Sequence, residues 1–222
     1  MLIDVARGAG RLGGSALAHV YGELGDQAPD VDAPEDLAAL FSLVQSARRE
    51  GVLTAYHDRS DGGLAVTLLE MAFAGRCGLS VDLAAIPGMP QQKLFAEEVG
   101  VVVQLPAKGV AVLTKHAQTL GIADCLYRLG HATQGDRILI NDGEDVLLDD
   151  RRARLQALWS RTSYEIQSLR DNHDCAREEC ARIVEDDPGL CVGLGFDPED
   201  DVCAPFVASG ARPRVAILRE LV

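Results

Sequence analysis

Residues 57–64 read HDRSDGGL, between the apolar stretch VLTAYH and the segment AVTLLEMAFAG. Two aspartates, a serine and a glycine pair thus fall where a strand becomes a helix. Asp58 is a hard oxygen ligand of the kind Mg²⁺ accepts together with phosphates and water. Ser60 or Asp61 can cap a helix that starts near Gly62. Gly62 and Gly63 leave backbone amides uncovered at the positive end of the helix dipole, where phosphate oxygens are stabilised. Two readings follow. One is a nucleotide and Mg²⁺ contact made by Asp58, Ser60, Gly62 and Gly63; the other is only a well-capped helix. His57, ending the strand, is expected as a hydrogen-bonded core histidine, with a catalytic base as the alternative.

A second glycine-rich junction, GAGRLGGS, places Gly8, Gly10 and Gly13 in a GxGxxG pattern between a strand and a helix. That pattern lets pyrophosphate approach a helix N-terminus in dinucleotide-binding folds. Here the next element is a helix begun by Pro34, not a second strand, and the acidic residues at the ribose spacing, Glu35 and Asp36, fall inside it. Structural glycines are the expected outcome. The six cysteines (Cys77, Cys125, Cys175, Cys180, Cys191 and Cys203) include no CxxC pair and no nearby histidine at zinc spacing, so reduced thiols are expected.

These junctions need elements to hold them. MLIDV, VLTAYH, LSVDL, VGVVVQL and RILI have the β-branched content and length of strands. SALAHVYGELG reads as a short helix. PEDLAALFSLVQSARREG carries Leu37, Leu40, Phe41, Val44 and Ala47 at helical spacing, with Pro34 in the first turn and Gly51 beyond the end. Residues 62–75, QQKLFAEE and GVAVLTKHAQTLG complete the helices. Strands alternating with helices predict an α/β or α+β domain with a mixed sheet, ending near Asp149. From Asp150 to Asn172, Leu155, Leu158, Trp159, Ile166 and Leu169 form one helical stripe that needs a docking surface. Residues 173–212, broken by Pro and Gly, read as an acidic linker, and PRVAILRE as a final strand.

The chain has 222 residues, 47% hydrophobic and 25% charged, enough for a full core. Its formal net charge of −13 argues against nucleic acid as a partner. Residues 174–201 concentrate ten Asp or Glu against two Arg, as solvated connectors do. Neither a long apolar run nor a signal-peptide pattern is evident, so no membrane partner and a cytoplasmic location are expected.

HDRSDGGL followed by TLLEMAFAG resembles the C-terminal-type domain of the aminoimidazole ribonucleotide synthetase superfamily, whose members bind ATP. More narrowly, GRLGGSALAHVY, AYHDRSDGG, LFAEEVGVVVQL, SLRDNHDCA, DPGL and GARPRVAILRE stand in the same order as in the phosphoribosylformylglycinamidine synthase family, the large single-chain amidotransferases of purine biosynthesis. The resemblance covers nearly the whole chain. It implies a synthetase C-terminal-like domain of the second repeat at 1–149, a helical and acidic connector at 150–211, and the start of a glutaminase domain at 212–222.

The resemblance also implies a reaction. ATP phosphorylates the amide oxygen of formylglycinamide ribonucleotide, and ammonia released from glutamine displaces the phosphate to give the amidine. The second repeat is associated with an auxiliary ATP or ADP and Mg²⁺, not with turnover. By motif position, Asp58 corresponds to a Mg²⁺ ligand and Ser60 to a nucleotide contact. The family's other nucleotide and metal partners would precede Met1, and its glutaminase cysteine, histidine and glutamate would follow Val222, so the remaining segments of the same enzyme are expected as partners. None of the six cysteines stands in a nucleophile context, and no catalytic residue is assigned within the chain. The alternative is a non-catalytic scaffold or interaction module that complements a separately encoded partner.

Overall fold

Leu2 and Ile3 are sequence neighbours that feed different cores, because side chains alternate across a strand. Leu2 packs with Leu64, Leu68, Val81, Val102 and Ile138, while Ile3 packs with Leu43, Val101, Val103, Leu113 and Ile122. The computed structural model describes residues 1–185, 190–210, 212, 214 and 216. The chain runs β1 (Leu2–Asp4), α1 (Ala16–Val20), α2 (Pro34–Arg49), β2 (Ala55–Asp58), α3 (Gly63–Gly75), β3 (Gly78–Asp82), α4 (Pro90–Phe95), β4 (Gly100–Gln104), α5 (Ala107–Thr119), β5 (Leu126–Tyr127), β6 (Gly130–Thr133), β7 (Arg137–Asp142), β8 (Asp145–Arg151), α6 (Arg152–Arg170) and α7 (His173–Ala181).

One sheet has the order β2-β4-β1-β5 and is antiparallel throughout, with Leu2 opposite Val102 and His57 also opposite Val102. The other has the order β6-β3-β7-β8, and its central β3–β7 pair is parallel. This is the mixed α/β class expected. Leu40, Leu43 and Ala47 of α2 and Leu113 and Ala117 of α5 cover one face of the first sheet. Leu64, Leu68 and Ala72 of α3 join the core shared with the second sheet. β4 is central, and its Val101, Val102 and Val103 are all buried, so this run serves both cores at once.

Several expectations need correction. QQKLFAEE is helical only to Phe95; Ala96 is extended, which carries the two glutamates out of the helix and toward the site. β5, β6 and β8 were not anticipated, since β6 is mostly exposed and β8 is the acidic DVLLDDR. Residues 173–184 are not irregular: α7 is capped by Asn172, whose side-chain oxygen accepts from the amides of Asp174 and Cys175, and a short 3₁₀ turn follows.

The α6 stripe is only partly docked. Leu155 packs onto the core beside α3, whereas Leu158, Ile166 and Leu169 are exposed. Both α6 and α7 belong to the first of two units, Met1–Glu185. The second, Asp186–Val222, contains a short helix α8 (Ala204–Ala208), and every described residue in it is exposed. The predicted strand PRVAILRE falls largely outside the described residues. No described helix is long and apolar enough to cross a membrane.

Candidate functional site

β2 hands over to α3 through a left-handed turn that only glycine accommodates without strain. Gly62 and Gly63 have φ of 82° and 66°. A Cβ on Gly62 would stand 2.3 Å from Val66 Cγ2, and one on Gly63 would stand 2.7 Å from the Phe95 backbone. The glycine pair is therefore required for close packing as well as conformation. Gly62 itself is the helix cap, with no side-chain capping bond, so the expected caps Ser60 and Asp61 do not serve. A left-handed residue at the cap turns the preceding side chains away from the free amides.

A carboxylate from elsewhere caps the helix instead. Glu97 Oε1 accepts from the Gly62 amide at 2.8 Å and from the Ala16 amide at 2.9 Å, joining the starts of α3 and α1. The Gly63 amide donates to the Ser60 carbonyl at 2.9 Å. Both amides expected to face phosphate are thus engaged within the protein. Hydrogen bonds to a charged group contribute about 1.5–3 kcal/mol, and the dipole adds to a carboxylate at this position. Glu97→Ala is accordingly expected to lower stability by about 1.5–3 kcal/mol and Glu97→Gln by less, in urea unfolding of the purified chain. An unchanged midpoint in both would show that solvent replaces the carboxylate.

The turn is anchored from below by buried charge. Arg59 donates from Nε to the Glu98 carbonyl at 2.6 Å and from Nη2 to Asp4 Oδ1 at 2.6 Å. These two side chains are 5% and 2% exposed. Arg11 clasps the buried Glu98 carboxylate through its backbone amide, Nε and Nη2, each at 2.8 Å. Hydrogen bonding to Glu98, then to Asp32, raises the Arg11 pKa above its ordinary value. The glycine-rich loop, the HDRSDGG turn and the AEE segment therefore form one ionic knot.

Above the knot lie the predicted ligands. Asp58 is exposed at the end of β2 and lines a cavity of about 710 Å³ whose walls include Leu40, Phe41, Val44, Leu53 and Tyr56. Burial, then the Asp58 charge, pushes the Tyr56 phenol pKa up. Ser60 is exposed in the turn. His57 is partly buried and hydrogen-bonded: Nδ1 lies 2.7 Å from the Asp58 carbonyl and Nε2 lies 3.0 Å from Glu70 Oε2. Glu70 also accepts from Trp159 Nε1 at 3.1 Å.

Asp58 offers hard oxygen donors from one carboxylate. No group of three or more His, Cys, Asp or Glu side chains able to hold a metal occurs among the described residues. Mg²⁺ commonly takes one or two protein carboxylates and completes its shell with phosphate oxygens and water. Asp58 fits such a role as one member of a set.

The other glycine-rich junction is structural. The Gly8 amide donates to Asp4 Oδ2, those of Gly13 and Gly14 to the carbonyls of Gln27 and Leu24, and Ser15 Oγ caps α1. β1 pairs antiparallel with both neighbours, so no dinucleotide-binding βαβ unit begins there. All six cysteines are free. Desolvation pushes buried Cys125 up to about 11, which keeps its thiol protonated.

Glu97, Arg59 and Glu70 were not singled out by sequence for the parts they play. Their partners lie 13 to 89 positions away, where local spacing carries no signal; the nearest cue was an acidic pair directly before a buried strand.

Among solved structures, the chain is similar to T. maritima PurL complexed with ATP, at 17% identity over 55% of this chain and 22% of that one, with a TM-score of 0.48. Phosphoribosylformylglycinamidine synthase II from Thermotoga maritima gives 16% identity over 54% and 21%, with a TM-score of 0.47. Hydrogenase Maturation Protein HypE gives 19% identity over 66% and 51%, with a TM-score of 0.47. The chain therefore spans about a fifth of the PurL chains and half of HypE. The profile of the family described as AIR synthase related protein, C-terminal domain, matches residues 5–142, which include β2 to β7, the glycine-rich loop and the HDRSDGG turn. With more than half of its length covered by that profile, the chain belongs to the AIR synthase related family through its C-terminal domain.

Proposed function

We propose that the chain is a segment of an ATP- and glutamine-dependent carbon–nitrogen ligase that converts formylglycinamide ribonucleotide to its amidine in purine biosynthesis. The observation that carries this reading is the ordered series of motifs from GRLGGS to GARPRVAILRE, placed on a chain of the AIR synthase related family. In this reading residues 1–149 are the synthetase domain, 150–211 the connector and 212–222 the entrance to a glutaminase.

Asp58 would hold Mg²⁺, which neutralises phosphate charge when bound. Ser60 offers its hydroxyl to the nucleotide, and the Gly62–Gly63 turn allows phosphate to approach the backbone closely. Glu97 now takes the Gly62 amide, so phosphate binding there would require this carboxylate to yield the donor. The ionic knot of Asp4, Arg59, Arg11 and Glu98 keeps the turn in place while this exchange occurs.

The scaffold reading is favoured by one observation, the internal satisfaction of both glycine amides. An assay separates the two. The purified chain alone, given glutamine, ATP and formylglycinamide ribonucleotide, is expected to form no amidine, because the reading places the glutaminase nucleophile and most of the nucleotide pocket in other segments. Activity is expected on adding the remaining synthetase and glutaminase segments. Amidine formation by the chain alone would contradict the proposal, and a reconstituted enzyme equally active without the chain would refute its part in the ligase.

A further inference from the structure

His57, Glu70 and Trp159 come from three elements and form a continuous relay of polar contacts. Trp159 Nε1 of α6 donates to Glu70 Oε1 of α3 at 3.1 Å, and Glu70 Oε2 meets His57 Nε2 of β2 at 3.0 Å. The opposite ring nitrogen of His57 meets the carbonyl of Asp58 at 2.7 Å. Both oxygens of one carboxylate are thereby used, one for each neighbouring element. Trp159 is held from its other side by Phe73, with ring centroids 5.8 Å apart and planes tilted by 56°, a favourable aromatic arrangement. Thr67 Oγ1 of α3 adds a longer bond, 3.4 Å, to the same Asp58 carbonyl.

We propose that Glu70 is a positioning residue that couples the seat of α6 to the backbone at Asp58. This rests on the reading of Asp58 as a metal ligand only for its functional consequence; the coupling itself rests on the relay. Glu70 presents one oxygen to each side, so a displacement of Trp159 changes how Glu70 holds His57. His57 in turn fixes the carbonyl of the residue whose side chain lines the cavity. Coupling of this kind travels through a contiguous network of polar and packing contacts and is reciprocal: a ligand that orders Asp58 tightens the seat of Trp159. The arrangement gives α6, whose stripe beside the half-exposed Trp159 also carries exposed Leu158, Ile166 and Leu169, a route by which anything that shifts this helix reaches the HDRSDGG turn.

Trp159 is the single tryptophan of the chain, so its emission reports the relay directly. The test uses the full chain, with Glu70→Gln, with Trp159→Phe, which keeps an aromatic ring beside Phe73 but drops the donor, and with Leu169→Ala as an exposed change on the same helix. Amide hydrogen exchange is measured over residues 58–63, with 101–104 of β4 as the internal reference for global opening. Loss of one bond in the relay is expected to speed exchange at 58–63 about tenfold relative to β4 in both relay variants, and not in Leu169→Ala. Exchange at 58–63 that equals the parent, or that changes only in step with β4, would overturn the coupling.

In a second arm, millimolar Mg²⁺ with ADP is added to the chain reconstituted with the remaining synthetase and glutaminase segments, and Trp159 emission is taken as the difference from the same assembly carrying Trp159→Phe. A shift in Trp159 emission that is lost in Asp58→Asn and reduced in Glu70→Gln supports both coupling and metal site. Coupled exchange with no emission response in the parent keeps the relay and removes the metal reading. An emission response unchanged in Glu70→Gln removes the relay and keeps the metal reading.

Discussion

Arg59→Ala is expected to lower the stability of the chain by about 3–5 kcal/mol, the cost of leaving a buried charge without its partner. The guanidinium is 5% exposed and the Asp4 carboxylate opposite it is 2% exposed. Removing Arg59 leaves that carboxylate with the Gly8 amide as its remaining described partner and frees the Glu98 carbonyl as well. Domains of this size are commonly stable by about 5–15 kcal/mol, so the substitution consumes a large part of the total. Arg59→Lys keeps charge but loses the planar fork that reaches Asp4 and the Glu98 carbonyl together, and an intermediate loss is expected. Urea unfolding followed by circular dichroism measures both. A loss below about 1 kcal/mol for Arg59→Ala, the range of an exposed pair, would show that water reaches Asp4 and that the knot does not anchor the turn.

Long periodic elements were the most legible part of this fold. Pro34, the apolar spacing through Ala47 and the glycine at 51 mark α2 within a residue or two of where it lies, because first-turn proline and terminal glycine are local backbone requirements. The valine run at 101–103 announces a strand buried on both sides, which is its place in the sheet. β6 and β8 escaped notice because GHAT and DVLLDDR lack a buried apolar alternation; their pairing with β3 and β7 decides their conformation.

The site divides similarly. The glycine pair and Asp58 stand out by type and spacing, and the turn they occupy is the junction that the strand and helix patterns predict. Its cap does not, since Ser60 and Asp61 have the preferred chemistry but the left-handed Gly62 turns the backbone past them. Glu97 takes that role from 35 positions away. Arg59 and Glu70 carry no local signal of their partners, and only the tertiary fold brings them to Asp4, His57 and Trp159.

Asp58→Asn has the largest expected functional effect. Asparagine preserves the shape of the side chain and leaves the backbone, the Gly62 cap and the Arg59 anchor untouched, so folding is expected to stay within about 0.5 kcal/mol of the parent, as for other exposed substitutions. It removes the negative charge that makes a carboxylate a stronger ligand than an amide for a hard divalent cation. Loss of outer-shell partners alone weakens metal sites about 10–100-fold, and loss of a direct ligand is expected to reach at least the upper end of that range. The decisive measurement for the proposed ligase is Mg²⁺-dependent nucleotide retention by the chain reconstituted with the synthetase and glutaminase segments that this reading requires, read as nucleotide and magnesium content after gel filtration, for the parent and Asp58→Asn. Loss of both nucleotide and magnesium in a variant of parental stability is the predicted result; retention of both at the parental level would contradict the account and leave HDRSDGG as a strand-to-helix turn alone.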